Sequence, residues 1–482
     1  MGAAVVSLLL VLSIHYFVKV RNGNQEHRSA ILRWQNQVLA LLEDTDIWER
    51  FDYPNPPIMA LLLAPLMHLP PLLCSMVWFY LKAAMVVVAV HWVFRMVETP
   101  ETPFPASGKI LTLAFALRPI LGDLTHGNVN LFILFLVAGS LYAFTRRRDL
   151  GAGLLLGLAI ACKLTPALFV PYFVWKRAWG ALAGCLLGLS LFLGIVPGLF
   201  LGMQRNVVFL ESWLDRMVRP YVVDGSAISE HTNQSLPGLF SRLGRHSPSF
   251  TMYTSQGYVP TEYHNLLDLD RDLISWLLKT CMALFALLVM RCCRTALTQR
   301  SGWPLLAEFG MVLLGMLLFS ERTWKHHCVT LLVPFTVLSY CLATWKPNRL
   351  TRRCLVGVLV TVAALMTSTA TVPGFERWGK LAEVYGAYVW AYLLLLAALA
   401  ALLWNRQPAT GGAPAGPSRI AVLAYRILIR YPHGREPLAS AEVAPSAEVP
   451  QKTIEESGDG EVGLGRERGR PELSERGDRA VF

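Results

Sequence analysis

Two kinds of polar island alternate between the apolar runs of this chain, the pattern of a polypeptide threaded back and forth through a bilayer. One kind is basic: Arg146, Arg147 and Arg148; Lys176 and Arg177; Arg291, Arg294 and Arg300; Lys346, Arg349, Arg352 and Arg353. The other mixes His, Asn, Trp and carboxylates, at residues 20–56, 122–130, 205–270, 320–327 and 373–383. Short loops rich in Lys and Arg stay on the cytoplasmic side, so the mixed islands, and with them most residues able to do chemistry, are expected outside. Composition agrees: 54% of residues are hydrophobic and only 16% charged, more apolar content than a soluble core would use. The formal charge of +11 sits at the ends of apolar runs and in the tail, which argues against nucleic acid as a partner. Most cysteines lie in or beside apolar runs with no CxxC or metal spacing, as packing residues do.

A crossing of the hydrocarbon core needs about 20 apolar residues. Runs at 3–19, 71–96, 178–202, 271–293, 303–319, 326–344, 352–372 and 384–404 are candidates, and 107–121 and 129–145 are shorter but bounded by polar turns. The first run has neither a basic leader nor an Ala-x-Ala exit, so we expect a first span, amino end inside, rather than a cleaved signal. Lys163, Thr165 and Pro166 interrupt the run 150–175. This predicts two half-length helices meeting at a break, where the lysine faces water or protein. A single kinked helix would instead invert every later loop. Prolines 54, 56, 57, 70 and 71 bracket a short helix near the outer interface. Ile31, Trp34, Val38, Leu41 and Leu42 predict an amphipathic helix on the outer surface.

The expected fold is therefore all-α, a polytopic membrane helical bundle with about twelve crossings, counting broken half-helices. It covers residues 1–404, with both termini cytoplasmic. Residues 405–482, rich in Pro, Gly, Ala, Ser, Glu and Arg, are expected to form a disordered cytoplasmic tail.

A ligand with an apolar tail in the bilayer and an anionic group such as a phosphate at the interface must be met there by cationic or hydrogen-bonding groups, and chemistry on it needs a carboxylate slightly above. Lys163, at a helix break, can meet a phosphate as a point charge, or can be a structural lysine paired with a buried acid. Arg118 and His126 are further candidates for the phosphate, or for backbone carbonyls of their turn. Asn233, Gln234 and Ser235 suit sugar hydroxyls and are also ordinary loop residues. Trp324 can stack on a sugar or anchor at the interface. His326 and His327, being adjacent, point to different sides of a helix and suit sugar or phosphate better than a shared ion. No cofactor is expected, and a divalent metal, left open, has no support in the sequence.

Several segments have recognisable wording. Phe51-Asp52-Tyr53-Pro54-Asn55-Pro56-Pro57 before an apolar helix resembles the "YpP" segment of glycosyltransferase family 87, the polyprenyl-phosphate-mannose-dependent mannosyltransferases. Gly127-Asn128-Val129-Asn130 is similar to that family's "GQxN" turn, and Gly151 to Pro166 to its "aG...K..P" segment. Asn233-Gln234-Ser235-Leu236 and Ser320 to His327 resemble its later outer loops. The resemblance implies the GT-C architecture, with an active site open to the outer face. It implies a polyprenyl-phosphate sugar donor, a lipid or glycan acceptor, transfer of a hexose, mannose by analogy, with inversion, and a bacterial plasma (inner) membrane. It implies substrate contacts at Tyr53, Asn128, Asn130, Lys163, Asn233, Gln234, Trp324, His326 and His327. The family's catalytic Asp follows the first span. This chain departs from the pattern there: Glu26 is closest to that position, with Asp44, Asp46 and Asp52 later in the same loop and Asp123, beside the Gly127-Asn128 turn, a further alternative. A transporter or flippase of a lipid-linked sugar or small solute is the alternative, since transporters also break helices at mid-membrane.

Overall fold

The computed structural model describes residues 2–22, 29–223, 225–254, 257–345 and 349–405, and these are predominantly helical. Six described helices are long and apolar enough to cross a membrane: Pro71–Val97, Trp179–Leu201, Arg271–Cys292, Lys325–Thr344, Arg349–Ser368 and Ala387–Trp404. Five shorter apolar helices accompany them, Pro57–Met67, Asn130–Thr145, Asp149–Cys162, Thr165–Trp175 and Trp303–Leu318. Gly2–Asn22 and Ala106–His126 are helical over 21 residues each. The chain is an all-α polytopic membrane protein. The tail beyond Asn405 and Glu26 lie outside the described residues.

The interrupted run folds as its residues dictate. Helix Asp149–Cys162 ends where Lys163 turns extended (φ −158°, ψ 126°), and a 3-10 turn at Thr165–Leu168 leads into Phe169–Trp175. Helix Trp179–Leu189 then packs against Asp149–Cys162 through glycines: a Cβ on Gly184 would meet the Leu150 carbonyl, and one on Gly188 the Leu154 carbonyl at 2.9 Å. This register rises along both helices, so they run parallel, and the chain between them returns to its starting end. Small residues permit that approach without side-chain interference.

Three of the basic islands meet at that end. Arg300 pairs with Asp149, Arg147 donates to the Thr298 carbonyl at 2.9 Å, and Trp175 Nε1 to the Cys293 carbonyl at 3.2 Å. Fully buried Glu308 accepts from Lys176 Nζ at 3.0 Å, Tyr172 Oη at 2.8 Å and the Thr295 amide at 2.6 Å. A buried carboxylate is tolerable only when so completely partnered.

At the opposite end the mixed islands converge. The amphipathic helix forms at Ala30–Leu42, burying Ile31, Trp34, Val38 and Leu41, and the proline-bounded one at Pro57–Met67. A two-stranded hairpin, Pro248–Thr254 against Gly257–Tyr263, belongs to the same group and was not foreseen. Bidentate Arg377–Glu262 hydrogen bonds of 2.6 Å tie it to helix Glu376–Val384.

Candidate active site

The site is built round a left-handed turn. Gly127 (φ +75°) ends the helix Ala106–His126, and a Cβ there would strike Ser29 Oγ, so only glycine lets this turn sit beside the start of the amphipathic helix. Ser29 is held by Tyr16 Oη at 2.8 Å, and Lys19 Nζ donates to the Thr125 carbonyl at 2.8 Å. Trp78 Nε1 donates to the Gly127 carbonyl at 3.1 Å.

Below the turn lies a buried polar chain. Asp123 and Lys82, both fully buried, pair at 3.3 Å. Asp123 also accepts from Asn130 Nδ2 at 2.9 Å and from the Leu131 amide at 3.2 Å. With its amide nitrogen committed to Asp123, Asn130 turns its oxygen to Lys163 Nζ, 2.7 Å away. Lys163 is thus not neutralised by a carboxylate within ion-pair distance among the described residues, and is aimed by a neutral amide. It lines a small cavity with Asn130, Thr165, Ser320, Thr323 and His327. Tyr53 lies fully buried beside Cys162, edge-on to Trp34 and Trp48 at 5.9 and 6.3 Å, with its hydroxyl unpartnered. Burial raises the Tyr53 pKa.

Above the cavity the histidines assemble. His126 and His326 stack at 4.3 Å, His326 meets His327 edge to face at 4.7 Å, and Asn128 Nδ2 lies 3.2 Å from His326 Nε2. The two adjacent rings are closer than helical spacing suggested; they lie on the 3-10 turn Lys325–Leu331. Among the described residues no three His, Cys, Asp or Glu side chains converge as metal ligands would. Trp324 stands edge-on to His326 at 5.3 Å with its indole N–H unpartnered.

Arg118 falls apart from the Lys163 group. Its Nη2 donates to Thr369 Oγ1 at 3.1 Å, and Lys325 and Glu383 are its charged neighbours. Glu383 pairs with Lys325 at 2.5 Å and with His231 at 3.6 Å. Burial raises the Glu383 pKa, and burial, ahead of the nearby cations, lowers His231 to about 4. Burial likewise raises that of Glu321, in the loop before Trp324.

Asn233 and Gln234 are fully buried and their side chains serve the protein. Asn233 donates to the Ile228 and Glu321 carbonyls at 2.8 Å each, and accepts from Ser235 and from the Thr323 amide. Gln234 joins the His231 and Glu383 carbonyls to the Tyr388 amide. These two residues join the 228–235 loop to the segments 321–323 and 383–388. Asp46 caps helix Ile47–Phe51, accepting from the Trp48 and Glu49 amides at 2.9 and 3.0 Å, and exposed Asp44 pairs with Arg205. The sequence reading missed Lys82, Lys19 and Arg33. An ionisable residue inside an apolar span, as Lys82 is, marks a polar site by default and was the available signal.

Comparison with known proteins places the chain in a setting. The profile of Glycosyltransferase family 87 matches residues 53–321. A polyprenol-phosphate-mannose-dependent alpha-(1-2)-phosphatidylinositol mannoside mannosyltransferase of Mycolicibacterium smegmatis is 27% identical over 359 residues, 70% of this chain and 72% of its own length. Its counterpart in Mycobacterium tuberculosis is 24% identical over 74% of this chain and 78% of its own. A pentamannoside mannosyltransferase of M. smegmatis is 27% identical over 58% of each chain. No solved structure matches.

Proposed function

We propose, because this chain belongs to glycosyltransferase family 87, that it moves mannose from a polyprenyl-phosphate donor to a phosphatidylinositol-mannoside-like lipid or other glycan acceptor at the outer face of a bacterial plasma membrane. The observation that carries this reading is Lys163, set at a helix break without a carboxylate partner within ion-pair distance among the described residues, held by Asn130 at a small cavity that His327 also lines. A lysine so placed neutralises a lipid phosphate as it leaves. An apolar groove of about 640 Å³ at the same end, between Leu236–Gly244 and Arg271–Cys292, offers room for a hydrocarbon chain.

In the reaction, the acceptor hydroxyl attacks the sugar's anomeric carbon, the carbon–oxygen bond to phosphate breaks on the opposite side, and the hydroxyl proton passes to a carboxylate. The configuration inverts, and polyprenyl phosphate leaves without a cofactor taking part. We assign the base to Glu26. It is the acid nearest in sequence to Lys19 and Ser29, which lie at the site, on Thr125 and against Gly127. Asp44 and Asp46, engaged with Arg205 and with a helix N-terminus, are the remaining choices.

Protein reconstituted with radiolabelled polyprenyl-phosphate mannose and phosphatidylinositol mannosides should transfer label. Glu26→Gln should slow that transfer by about 10²–10⁴-fold. Unchanged transfer in Glu26→Gln moves the base to Asp44 or Asp46. Absence of transfer from any polyprenyl-phosphate sugar, with solute uptake into vesicles instead, rejects the enzyme in favour of a transporter.

A further inference from the structure

We propose that His126 and His326 are neutral, tautomer-locked N–H donors to the phosphate of the lipid-linked sugar, and act neither as bases nor as metal ligands; this rests on the donor class proposed above. Arg33 Nη2 lies 3.4 Å from His126 Nε2, and a guanidinium can only donate, so that ring nitrogen accepts. Asn128 Oδ1 takes the Val129 amide at 2.7 Å, which fixes the side-chain amide and turns its NH₂ to His326 Nε2 at 3.2 Å. Here too Nε2 accepts.

A ring nitrogen that accepts holds a lone pair, so each imidazole is neutral and its proton sits on Nδ1. Neither Nδ1 has a hydrogen-bond partner among the described residues, and both rings are only half-buried. With both Nε2 lone pairs taken, the stack has none left for an acceptor's proton or for a metal ion. It has two N–H groups to give, among the cations Lys19, Arg33, Lys82 and Lys163. Phosphate oxygens satisfy both.

Side-chain amides separate the two nitrogens, since Asn places its NH₂ near the position of Nδ1 and Gln near that of Nε2. In protein labelled with ¹⁵N-histidine in nanodiscs, long-range ¹H–¹⁵N spectra should show both rings protonated at Nδ1, the tautomer that is minor in water. Adding undecaprenyl phosphate should move those Nδ1–H protons downfield. His126→Asn and His326→Asn should bind that lipid within about threefold of wild type, whereas His126→Gln and His326→Gln should weaken it by about tenfold or more. Protonation at Nε2, or an imidazolium, in the wild-type spectra overturns the assignment whatever the variants do. Equal binding by all four variants and wild type overturns it while leaving the donor class standing. A wild type that binds no polyprenyl phosphate overturns the donor class and the assignment together.

Discussion

Lys163→Ala should lower kcat/KM for the polyprenyl-phosphate donor by at least about 100-fold, the loss of roughly 3 kcal/mol of charge-assisted stabilisation. The fold should survive. Lys163 lies at a break between helices, half-buried, and its partner Asn130 stays held by Asp123 at 2.9 Å. Lys163→Arg should restore little, because the planar guanidinium is longer and the place opposite the Asn130 oxygen, 2.7 Å from Nζ, fits a compact ammonium. Steady-state kinetics beside a thermal melt check both parts. A melt that collapses along with activity would make the lysine a structural pin, and unchanged kinetics would remove it from the site.

Arg242→Met should be the most disruptive single change outside the membrane. The guanidinium is fully buried and donates to five carbonyls: Val384 and Glu230 at 2.8 Å, Ser229 at 3.0 Å, and Asn233 and Glu383 at 3.2 Å. Burial pushes its pKa down to about 10, so it stays charged at neutral pH. Methionine fills the volume and satisfies none of the five acceptors, a cost of about 3–5 kcal/mol by analogy with broken buried networks. Lysine, with three donors on a point charge, cannot span them either. Limited proteolysis in detergent should show cleavage within residues 226–270 at temperatures where wild type resists. Cleavage rates equal to wild type would show that Asn233 and Gln234 hold this region without the arginine.

The grouping of the islands and the helix break were legible in the sequence for a physical reason: both are written in single residues whose burial cost in lipid is high. Arg and Lys at the ends of apolar runs gather at one end of the bundle, and Lys163 with Pro166 stops a helix where no soluble-protein logic would need it. Asp46 was legible too as a helix cap. Asp46-Ile47-Trp48-Glu49 has the spacing of a helix start, and the structure uses it so. Hidden from sequence were pairings set by tertiary packing. Nothing local joins Lys82 to Asp123, 41 positions away, or Arg242 to the Val384 carbonyl, 142 away. The loop residues Asn233 and Gln234 could be recognised as polar, yet whether they faced substrate or protein depended on chains arriving from residues 321–323 and 383–388. Arg118 was grouped with Lys163 because both interrupt apolar segments near prolines, and only the course of their helices separates them.

The central claim is that the mixed islands share one aqueous face and the basic islands the other. Single cysteines at exposed Glu49, Asp215 and Trp378 on one set, and at exposed Arg148, Arg294 and Arg352 on the other, test it in intact cells with a membrane-impermeant thiol reagent. Labelling of the first three from outside, and of the last three only after the membrane is opened, is the predicted result. Labelling from outside of any one of Arg148→Cys, Arg294→Cys or Arg352→Cys, or protection of Glu49→Cys or Asp215→Cys, would contradict it.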